Sequence, residues 1–412
     1  MALKRRTASP GSIATFLVLV LLTTGLLSFS CRTPTPITQP TAEATLPSGR
    51  PRPVRVLLVD SAESATIEAH GRYTIANTAE TPRTLARGQA LAETIVRSTP
   101  HALVVGSRHF PDTEVAVTAD HDGSLAVNGR RYRGRLLLRR GSDGTLSVLN
   151  VLSLESYLYS VLGSETYAAW PPAALEAQAI VARSYAMWRM AQRRTEPFDL
   201  WATVMDQRYL GTAKEDPRLT AAVDRTEGLV LLYAMKLFRC YYHSTCGGHT
   251  EAVQDVLADP PLAPLSGVPC KHCTDSKYYT WTRSLPRSAV ADGLRGRGLT
   301  VHELEGIDVT RRTPAGRVQE LTIGVGRGKQ LRMAAADFRL AVGPARLPST
   351  FFVLHHRGTS FEFRGRGFGH GVGMCQWGAR GMAKANYSAA EILHHYYPGA
   401  QLRRLYGGRG PI

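Results

Sequence analysis

The sequence lacks the motifs that would place it in several large classes of proteins. It carries no motif of a nucleic-acid-binding module, and no internal repeat is detectable. Its glycine-rich stretch at 365–378 forms neither a P-loop nor a complete dinucleotide fingerprint, and it does not open a helix after a βαβ strand. No helical pair of histidines is present either. Nucleic-acid binding and nucleotide-dependent chemistry are therefore not indicated.

Acidic residues are also scarce. The 412 residues include 33 Asp and Glu against 50 Lys and Arg, which gives a net charge of +17. Only a few of these charges lie at the N-terminus, so the folded part is strongly basic. Such a surface favours polyanions, here anionic glycans or lipid headgroups, although solvated basic faces without a partner are the alternative. The 43% of hydrophobic residues supports roughly two to three domains' worth of core.

The N-terminal apolar run at 13–29 is short. It follows three basic residues at 4–6 and is too short and wrongly flanked to span a membrane, so it predicts a secretory signal. Ser30 before Cys31 resembles a lipoprotein cleavage box. Residues 1–31 are therefore interpreted as a lipoprotein-type signal peptide, with a lipid on Cys31 that anchors the exported protein to the membrane, facing the periplasm or cell wall. A plain signal peptide that is cut nearby is the alternative.

The rest of the chain predicts an α+β fold behind a tether. Residues 32–53 are rich in Pro, Thr, Ala and Ser and predict a flexible linker. Folding begins at 54 and extends to 405. Short β-type runs between turn signals fill 54–151, helices and cysteines mark 152–280, and a β-meander, a glycine-rich loop and C-terminal helices occupy 281–405.

Helical periodicity appears where the β-type runs end. Apolar residues from Leu154 to Leu162 recur at i, i+3, i+4 and i+7 after Ser153 as N-cap, and Gly163 can close this helix. A capping box of Ser388 and Glu391 opens the last helix. The other predicted helices are a buried scaffold helix at about 173–194 and C-terminal helices at 376–385 and 389–397.

Three stretches carry more information than a globular core requires. They are 153–185, 242–250 and 365–379, the last of which is followed by 392–399. In this order they resemble the SpoIID/LytB family, whose members include sporulation peptidoglycan lytic transglycosylases and amidase enhancers. The resemblance spans about 54–405. It implies cleavage of glycan strands between N-acetylmuramic acid and N-acetylglucosamine without water, which leaves 1,6-anhydro ends, preferably on strands already stripped of peptides.

Glu165 matches the family's essential acid. It follows the first helix and can face a cleft between two packed helices. A leaving glycosidic oxygen needs a carboxylic acid with a raised pKa. Hydrolases add a second carboxylate, whereas a transglycosylase needs one, because the C6 hydroxyl of the sugar attacks. A helix-terminal salt bridge is the alternative. Thr166 replaces the Met that is common in the family, and Glu155 and Glu176 are lesser candidates on solvated helix faces.

Other polar residues and glycines of these stretches are candidates for binding the glycan. The second stretch offers hydroxyls beside two glycines that permit close approach of the backbone. The third offers groups that can hydrogen-bond a saccharide from a tightly packed loop. A tight turn without ligand and a structural His370 are the alternatives. The candidates are Ser244, Thr245, Gly247, Gly248, Arg366, His370 and Gln376.

Clustered cysteines are a separate feature. His243-x-x-Cys246 and Cys270-x-x-Cys273 have a spacing compatible with a tetrahedral zinc site, in which four protein ligands leave no open position for chemistry. His249 and His272 are spare ligands, and Cys375 stands alone near the C-terminus. Because the protein is exported, a disulfide from Cys246 to Cys270 or Cys273 is the alternative. The family resemblance supports zinc, since some members carry it, as a structural ion that the chemistry does not require.

Three functions remain open from the sequence. The first is a lytic transglycosylase of the cell envelope with Glu165 as general acid and then base. The second is a non-catalytic glycan-binding enhancer of an N-acetylmuramoyl-L-alanine amidase. The third, a zinc hydrolase using His370 or His249, lacks an open-site ligand signature. The partners are therefore peptidoglycan strands, an amidase under the second hypothesis, and the membrane through a lipid anchor.

Overall fold

A computed structural model describes residues 49–257 and 259–407. The predicted signal peptide, Cys31 and residues 32–48 of the predicted tether lie outside the described residues. No helix within the described part of the chain combines the length and apolar character needed to cross a membrane. The α+β class is confirmed, with sheets on both sides of a helical segment along the chain.

The N-terminal part folds into two mainly antiparallel sheets. Period-two alternation drives the packing: in β2, Ala65, Ile67 and Ala69 are buried between less buried neighbours. One sheet has the order β13-β1-β12-β11-β8-β3-β4, with β13 (Leu200–Trp201) parallel to β1, and the other has the order β10-β9-β2-β5-β6-β7. The strands are β1 (Val54–Ala62), β2 (Ser64–His70), β3 (Tyr73–Asn77), β4 (Thr84–Gly88), β5 (Leu91–Ser98), β6 (Leu103–Val105), β7 (Arg108–Phe110), β8 (Glu114–Ala119), β9 (Ser124–Val127), β10 (Arg130–Tyr132), β11 (Arg135–Arg140) and β12 (Leu146–Leu152).

The last residues of the predicted tether are bound to the domain. Arg50 forms an ion pair of 2.6 Å with Glu227, and Arg52 forms two hydrogen bonds of 2.6 and 2.7 Å with the buried carboxylate of Asp199. A bidentate contact of this kind fixes both distance and orientation. The described end of the tether is therefore part of the fold.

Helices α1 (Leu154–Glu165) and α2 (Pro172–Gln192) form the centre of the molecule. The predicted N-cap is confirmed, since the Ser153 hydroxyl accepts from the amide of Ser156 at 3.2 Å. The predicted scaffold helix is also confirmed, because two thirds of α2 is buried among other elements. The elements that follow are α3 (Pro217–Arg225), β14 (Leu229–Tyr233), β15 (Lys236–Leu237), β16 (Tyr242–His243) and α4 (Val253–Val256).

Residues of the segment from Trp281 to Phe363 form a second hydrophobic core. The predicted meander is confirmed as three antiparallel strands, with the turn between the first two near Gly316. Helix α6 follows the meander, and a second three-stranded sheet in the order β17-β22-β21 completes this core. The elements are β17 (Trp281–Pro286), α5 (Arg287–Arg295), β18 (Gly306–Arg312), β19 (Val318–Gly326), β20 (Lys329–Ala334), α6 (Ala335–Val342), β21 (Phe352–Arg357) and β22 (Ser360–Gly365).

The chain then returns to the first core. Helices α7 (Gln376–Lys384) and α8 (Ala389–Tyr396) pack on α2, and β24 (Gln401–Arg404) pairs with β14. Short strand β23 (Met374–Cys375) runs parallel to β16. Residues 281–405, predicted as one part, therefore divide between two cores, and the return brings the third sequence stretch beside the first two.

Candidate functional site

Glu165 is the last residue of α1. The helix does not end at Gly163 but continues two residues further, and the Thr166 hydroxyl donates to the carbonyl oxygen of Leu162 at 2.7 Å. Gly163 is required for a different reason. A Cβ at this position would lie 1.7 Å from the carbonyl oxygen of Lys214. The glycine thus lets the end of α1 pack directly on the backbone of a neighbouring 3-10 helix.

Two contacts fix the position of Glu165. Its carboxylate accepts a hydrogen bond of 3.2 Å from the backbone N–H of Arg208, and its carbonyl oxygen accepts one of 3.2 Å from the side-chain amide of Gln376. The carboxyl group keeps partial contact with solvent, but the protein packed around it raises its pKa to about 7, against an opposing effect of the Arg208 N–H and charge. The site therefore holds a carboxylic acid that is partly protonated at neutral pH.

A polar wall packs beside this carboxyl group. Gln207 accepts from the Tyr157 hydroxyl at 3.1 Å and donates to the Tyr242 hydroxyl at 3.3 Å. Burial, followed by the charge of Glu165, raises the pKa of Tyr242. Both tyrosines therefore stay neutral, and Gln207 fixes the positions of their hydroxyl groups.

Glu165 differs from the other carboxylates considered for the acid role. The side chain whose charge shifts its pKa is Arg208. The lesser candidates are engaged elsewhere, because Glu155 pairs with Arg183 at 2.7 Å and Glu176 with Arg225 at 2.7 Å. Of these three candidates, Glu165 is therefore the one whose carboxyl group is available as an acid/base group.

The glycine-rich loop between β22 and β23 follows residues 241–246 closely. Its alternate glycines have positive φ, and at Gly373 a Cβ would lie 2.0 Å from the carbonyl oxygen of Tyr241. His370 holds this loop, because one ring nitrogen lies 3.0 Å from the Tyr242 carbonyl and the other accepts from the Val372 N–H at 3.0 Å. Burial lowers the pKa of His370 to about 3. Its ring is therefore neutral and fully engaged, and we do not retain it as a saccharide-binding group or a catalytic base.

The other predicted binding residues lie in three places. Gln376 lies at the acid through its bond to Glu165. The Thr245 hydroxyl is buried against Ser276 at 2.7 Å, whereas Ser244 remains partly exposed. Gly247, Gly248 and the exposed Arg366 lie where the second and third stretches meet, since a Cβ on Gly247 would contact the Arg366 side chain.

Four buried cysteines converge beneath these loops. The sulfur atoms of Cys246, Cys270, Cys273 and Cys375 all lie within 4.8 Å of one another. The fourth member is Cys375 rather than His243, whose ring instead lies against the Val372 carbonyl at 3.1 Å. Cys375 joins the cluster because β23 pairs with β16. No disulfide links the cysteines of the described residues.

The surroundings of the cluster suit thiolates. Backbone N–H groups donate hydrogen bonds to two of the sulfur atoms. The Cys375 sulfur accepts from the N–H groups of Cys246 and Gly378, at 3.2 and 3.3 Å, and the Cys246 sulfur accepts from the N–H of Gly248 at 3.4 Å. The thiols also act on one another: hydrogen bonds, from Cys246 first, lower the pKa of Cys270, whereas the bond to Cys270 raises the pKa of Cys246 and burial raises that of Cys375. Four sulfur donors in a closed, buried set can bind a metal ion such as zinc, and such a site has no open position.

Sequence reasoning missed two residues that matter to these sites. Arg208 reaches the acid from the loop before α3, and no motif or periodicity marks that loop. Cys375 had a signal, because it lies in the third stretch, and residues of the second and third stretches were both candidates for binding the glycan. Spacing along the chain favoured His243, because it compares residues that are close in sequence. The pairing of β16 with β23, which brings Cys375 to the cluster, joins residues that are far apart in sequence.

Comparison with known proteins relates the chain to sporulation proteins. The SpoIID family model, described as stage II sporulation protein, matches residues 142–233, and a domain of unknown function (DUF8618) matches 249–373. An uncharacterized protein of Brachyspira hyodysenteriae is 32% identical over 70% of this chain and 76% of its own length. Stage II sporulation protein D of Bacillus amyloliquefaciens is 31% identical over 62% and 75%. The amidase enhancer of Bacillus subtilis is 25% identical over 60% of this chain and 40% of its own length.

Proposed function

The chain belongs to the SpoIID family, and on that premise we propose that it is a peptidoglycan lytic transglycosylase of the cell envelope that uses Glu165 as its acid/base group. The observation that carries the proposal is the Glu165 carboxyl group, which the Arg208 N–H and Gln376 hold at the end of α1 and whose pKa burial raises to about 7. An acid of this pKa can donate and then recover a proton near neutral pH. The basic net charge of +17 supports an anionic substrate, since stripped glycan keeps the lactyl carboxylates of muramic acid.

The proposed reaction needs no water. The Glu165 carboxyl group transfers its proton to the glycosidic oxygen, so that the bond from C1 of N-acetylmuramic acid to N-acetylglucosamine breaks. The C6 hydroxyl oxygen of the same muramic acid forms the new bond to C1 and gives its proton to Glu165. The acid is thereby regenerated, and the product ends in a 1,6-anhydro sugar. The Arg208 N–H keeps the carboxylate oriented between the two proton transfers.

We further propose that Cys246, Cys270, Cys273 and Cys375 bind one structural zinc ion. The N–H donors to sulfur and the closed set of four buried thiols support this assignment over a disulfide. The ion would tie the second stretch to α7, the helix that begins with Gln376. In this way it would support the acid without taking part in the reaction.

The experiment that tests the function separates cleavage from binding. Purified wild type and Glu165→Gln are incubated with intact and with peptide-stripped peptidoglycan, and both soluble products and protein bound to the sediment are measured. We expect wild type to release fragments from stripped strands and Glu165→Gln to bind without release. Binding by both proteins without release would contradict the enzyme.

Binding by both proteins without release of fragments would favour the enhancer function, which the similarity to the amidase enhancer suggests. Adding an N-acetylmuramoyl-L-alanine amidase to the same incubation distinguishes the two. An enhancer would increase release of peptides equally in the presence of wild type and Glu165→Gln.

A further inference from the structure

A row of aromatic side chains begins two residues beyond the acid. The rings of Tyr167, Trp170 and Trp377 lie one after another in space. The ring centroids of Tyr167 and Trp170 are 5.7 Å apart, and those of Trp170 and Trp377 are 5.6 Å apart. The guanidinium of Arg380 lies 4.9 Å from the centroid of Trp377 and closes the row. None of these four residues is used by the proposed reaction.

Tyr167 is the member whose ring is open. Its exposed fraction is 62%, whereas that of Trp170 is 9%. The backbone that carries the ring is held in place, because the Trp170 N–H donates to the Tyr167 carbonyl at 2.9 Å and closes a turn, and the ring itself packs against Trp170. An exposed aromatic ring on a fixed turn adds little to the core. Its large, flat apolar face with a polar tip is instead suited to contact with a ligand.

Tyr167 and Glu165 flank a buried residue. Thr166 between them is extended, with φ −131° and ψ −178°, and its side chain is buried. Glu165 and Tyr167 both keep contact with solvent, and their Cα atoms are at most about 7 Å apart. The open ring therefore belongs to a residue that lies beside the acid and, like it, can meet a ligand from solvent.

The far end of the row is tied to the acid as well. Gln376 donates to the Glu165 carbonyl and precedes Trp377, whose N–H donates to the Ser244 carbonyl at 3.0 Å. Both ends of the row thus lie next to residues of the site: Tyr167 follows Glu165 along the chain, and Trp377 follows Gln376. The exposed Arg208, whose charge lowers the pKa of Glu165, adds a cation at the acid itself.

We propose that Tyr167, supported by Trp170 and Trp377, is a stacking platform for a pyranose ring next to the sugar whose bond is cleaved. This inference rests on the proposed function and names a substrate contact for it. One face of a β-1,4-linked N-acetyl sugar presents C–H groups that pack on an aromatic ring, while its hydroxyl and acetamido groups remain free to form hydrogen bonds. The Tyr167 platform selects for a sugar ring and leaves the lactyl carboxylate to nearby cations.

The test measures binding without turnover. In a Glu165→Gln background, affinity for the hexamer of N-acetylglucosamine and for peptide-stripped glycan hexamers is measured by calorimetry. We expect Tyr167→Ala to weaken binding of both about five- to tenfold, because one aromatic contact is lost. Tyr167→Phe keeps the ring and should stay within about twofold. Tyr387→Ala removes another exposed tyrosine, at the opposite end of α7 from Gln376, and should leave the affinity unchanged.

The outcomes separate this inference from the function. Equal affinities for Tyr167→Ala and its parent would overturn the platform, and so would no binding of either hexamer by the Glu165→Gln protein. If instead Tyr167→Ala weakens binding but wild type releases no fragments, the platform stands and the transglycosylase fails. Because Tyr167 is exposed, its substitution should leave the melting temperature unchanged, and this confirms that the variant is folded.

Discussion

The pKa of Glu165 reflects two opposing effects at the scale of one residue. Burial favours the neutral carboxyl group, while the N–H and the side-chain charge of Arg208 favour the carboxylate. The resulting pKa of about 7 suits a group that must give and take a proton at neutral pH. Because burial is the larger effect, small changes around Arg208 should tune the pKa of the acid without abolishing it.

We predict that the cleavage rate falls as pH rises through about 7, by about tenfold per pH unit, because the first step needs protonated Glu165. Arg208→Ala removes the charge but keeps the backbone N–H, so the descending limb should move to higher pH. Arg208→Lys retains a cation and should leave the limb near its original position. A pH profile of fragment release measures both. An unchanged profile in Arg208→Ala would show that this side chain does not act on the acid.

The same pKa predicts an effect on stability. A carboxyl group whose pKa rises from 4.5 to about 7 on folding holds a proton that the unfolded chain releases, so its ionisation costs stability as pH rises through this window. Each pKa unit is worth about 1.4 kcal/mol, and partial solvent contact screens the charge. Glu165→Gln should therefore raise the free energy of unfolding by about 2 kcal/mol at pH 8. At pH 4 the two proteins should be equally stable. Denaturant titration at both pH values measures this, and an equal gain at both would contradict the raised pKa.

At the scale of elements, close approach of the backbone places the acid. Ordinary helix propensity would make Gly163→Ala stabilising by about 1 kcal/mol. Here the added Cβ would meet the Lys214 carbonyl, so we predict a loss of about 2–3 kcal/mol and reduced cleavage, because the end of α1 must shift. Gly296→Ala, at the end of α5 with ordinary φ and no neighbour closer than 3.3 Å, is the control and should change stability little. A stable and fully active Gly163→Ala would show that this packing does not position Glu165.

The cysteine cluster joins three separate elements, so its loss should be felt beyond the cluster. We predict about one zinc ion per chain by elemental mass spectrometry, and a clear loss of zinc in Cys375→Ser, with a melting temperature lower by about 5 °C or more. His243→Asn should retain the zinc, because His243 is not a member of the cluster. Cys240→Ala, at a buried cysteine outside it, should retain the zinc too. Full zinc content in Cys375→Ser together with loss of zinc in His243→Asn would contradict this cluster and favour the ligand set predicted from the sequence, in which His243 takes the place of Cys375.

Short-range patterns predicted the elements well. The Ser153 N-cap, the scaffold helix α2, the meander and the capping box of Ser388 and Glu391 are confirmed. These features depend on neighbours a few residues apart, which the sequence displays directly. The predicted end of α1 was wrong by two residues. Gly163 was taken as a stop signal, but its role is to permit close contact with Lys214, which lies far along the chain.

At the scale of the whole molecule, the contacts that the sequence did not predict are those between distant segments of the chain. Cys375 and Trp377 reach their partners because the chain returns from the second core to the first, and Arg208 reaches Glu165 from 43 residues further along the chain. No local pattern encodes either contact. Gln376, predicted as a glycan-binding residue from the third stretch, lies beside the acid in the structure. The motifs therefore indicated which stretches to consider, and the structure was needed to show which atoms touch.

The central claim concerns the whole reaction, and one measurement tests it most directly. Peptide-stripped glycan strands are incubated with wild type or Glu165→Gln in water enriched in oxygen-18, and the new ends are examined by mass spectrometry. We predict that wild type yields 1,6-anhydro ends that are lighter than hydrolysed ends by one water and carry no heavy oxygen, and that Glu165→Gln yields none. Reducing ends that carry oxygen-18 would instead identify a hydrolase and contradict the single-carboxylate mechanism.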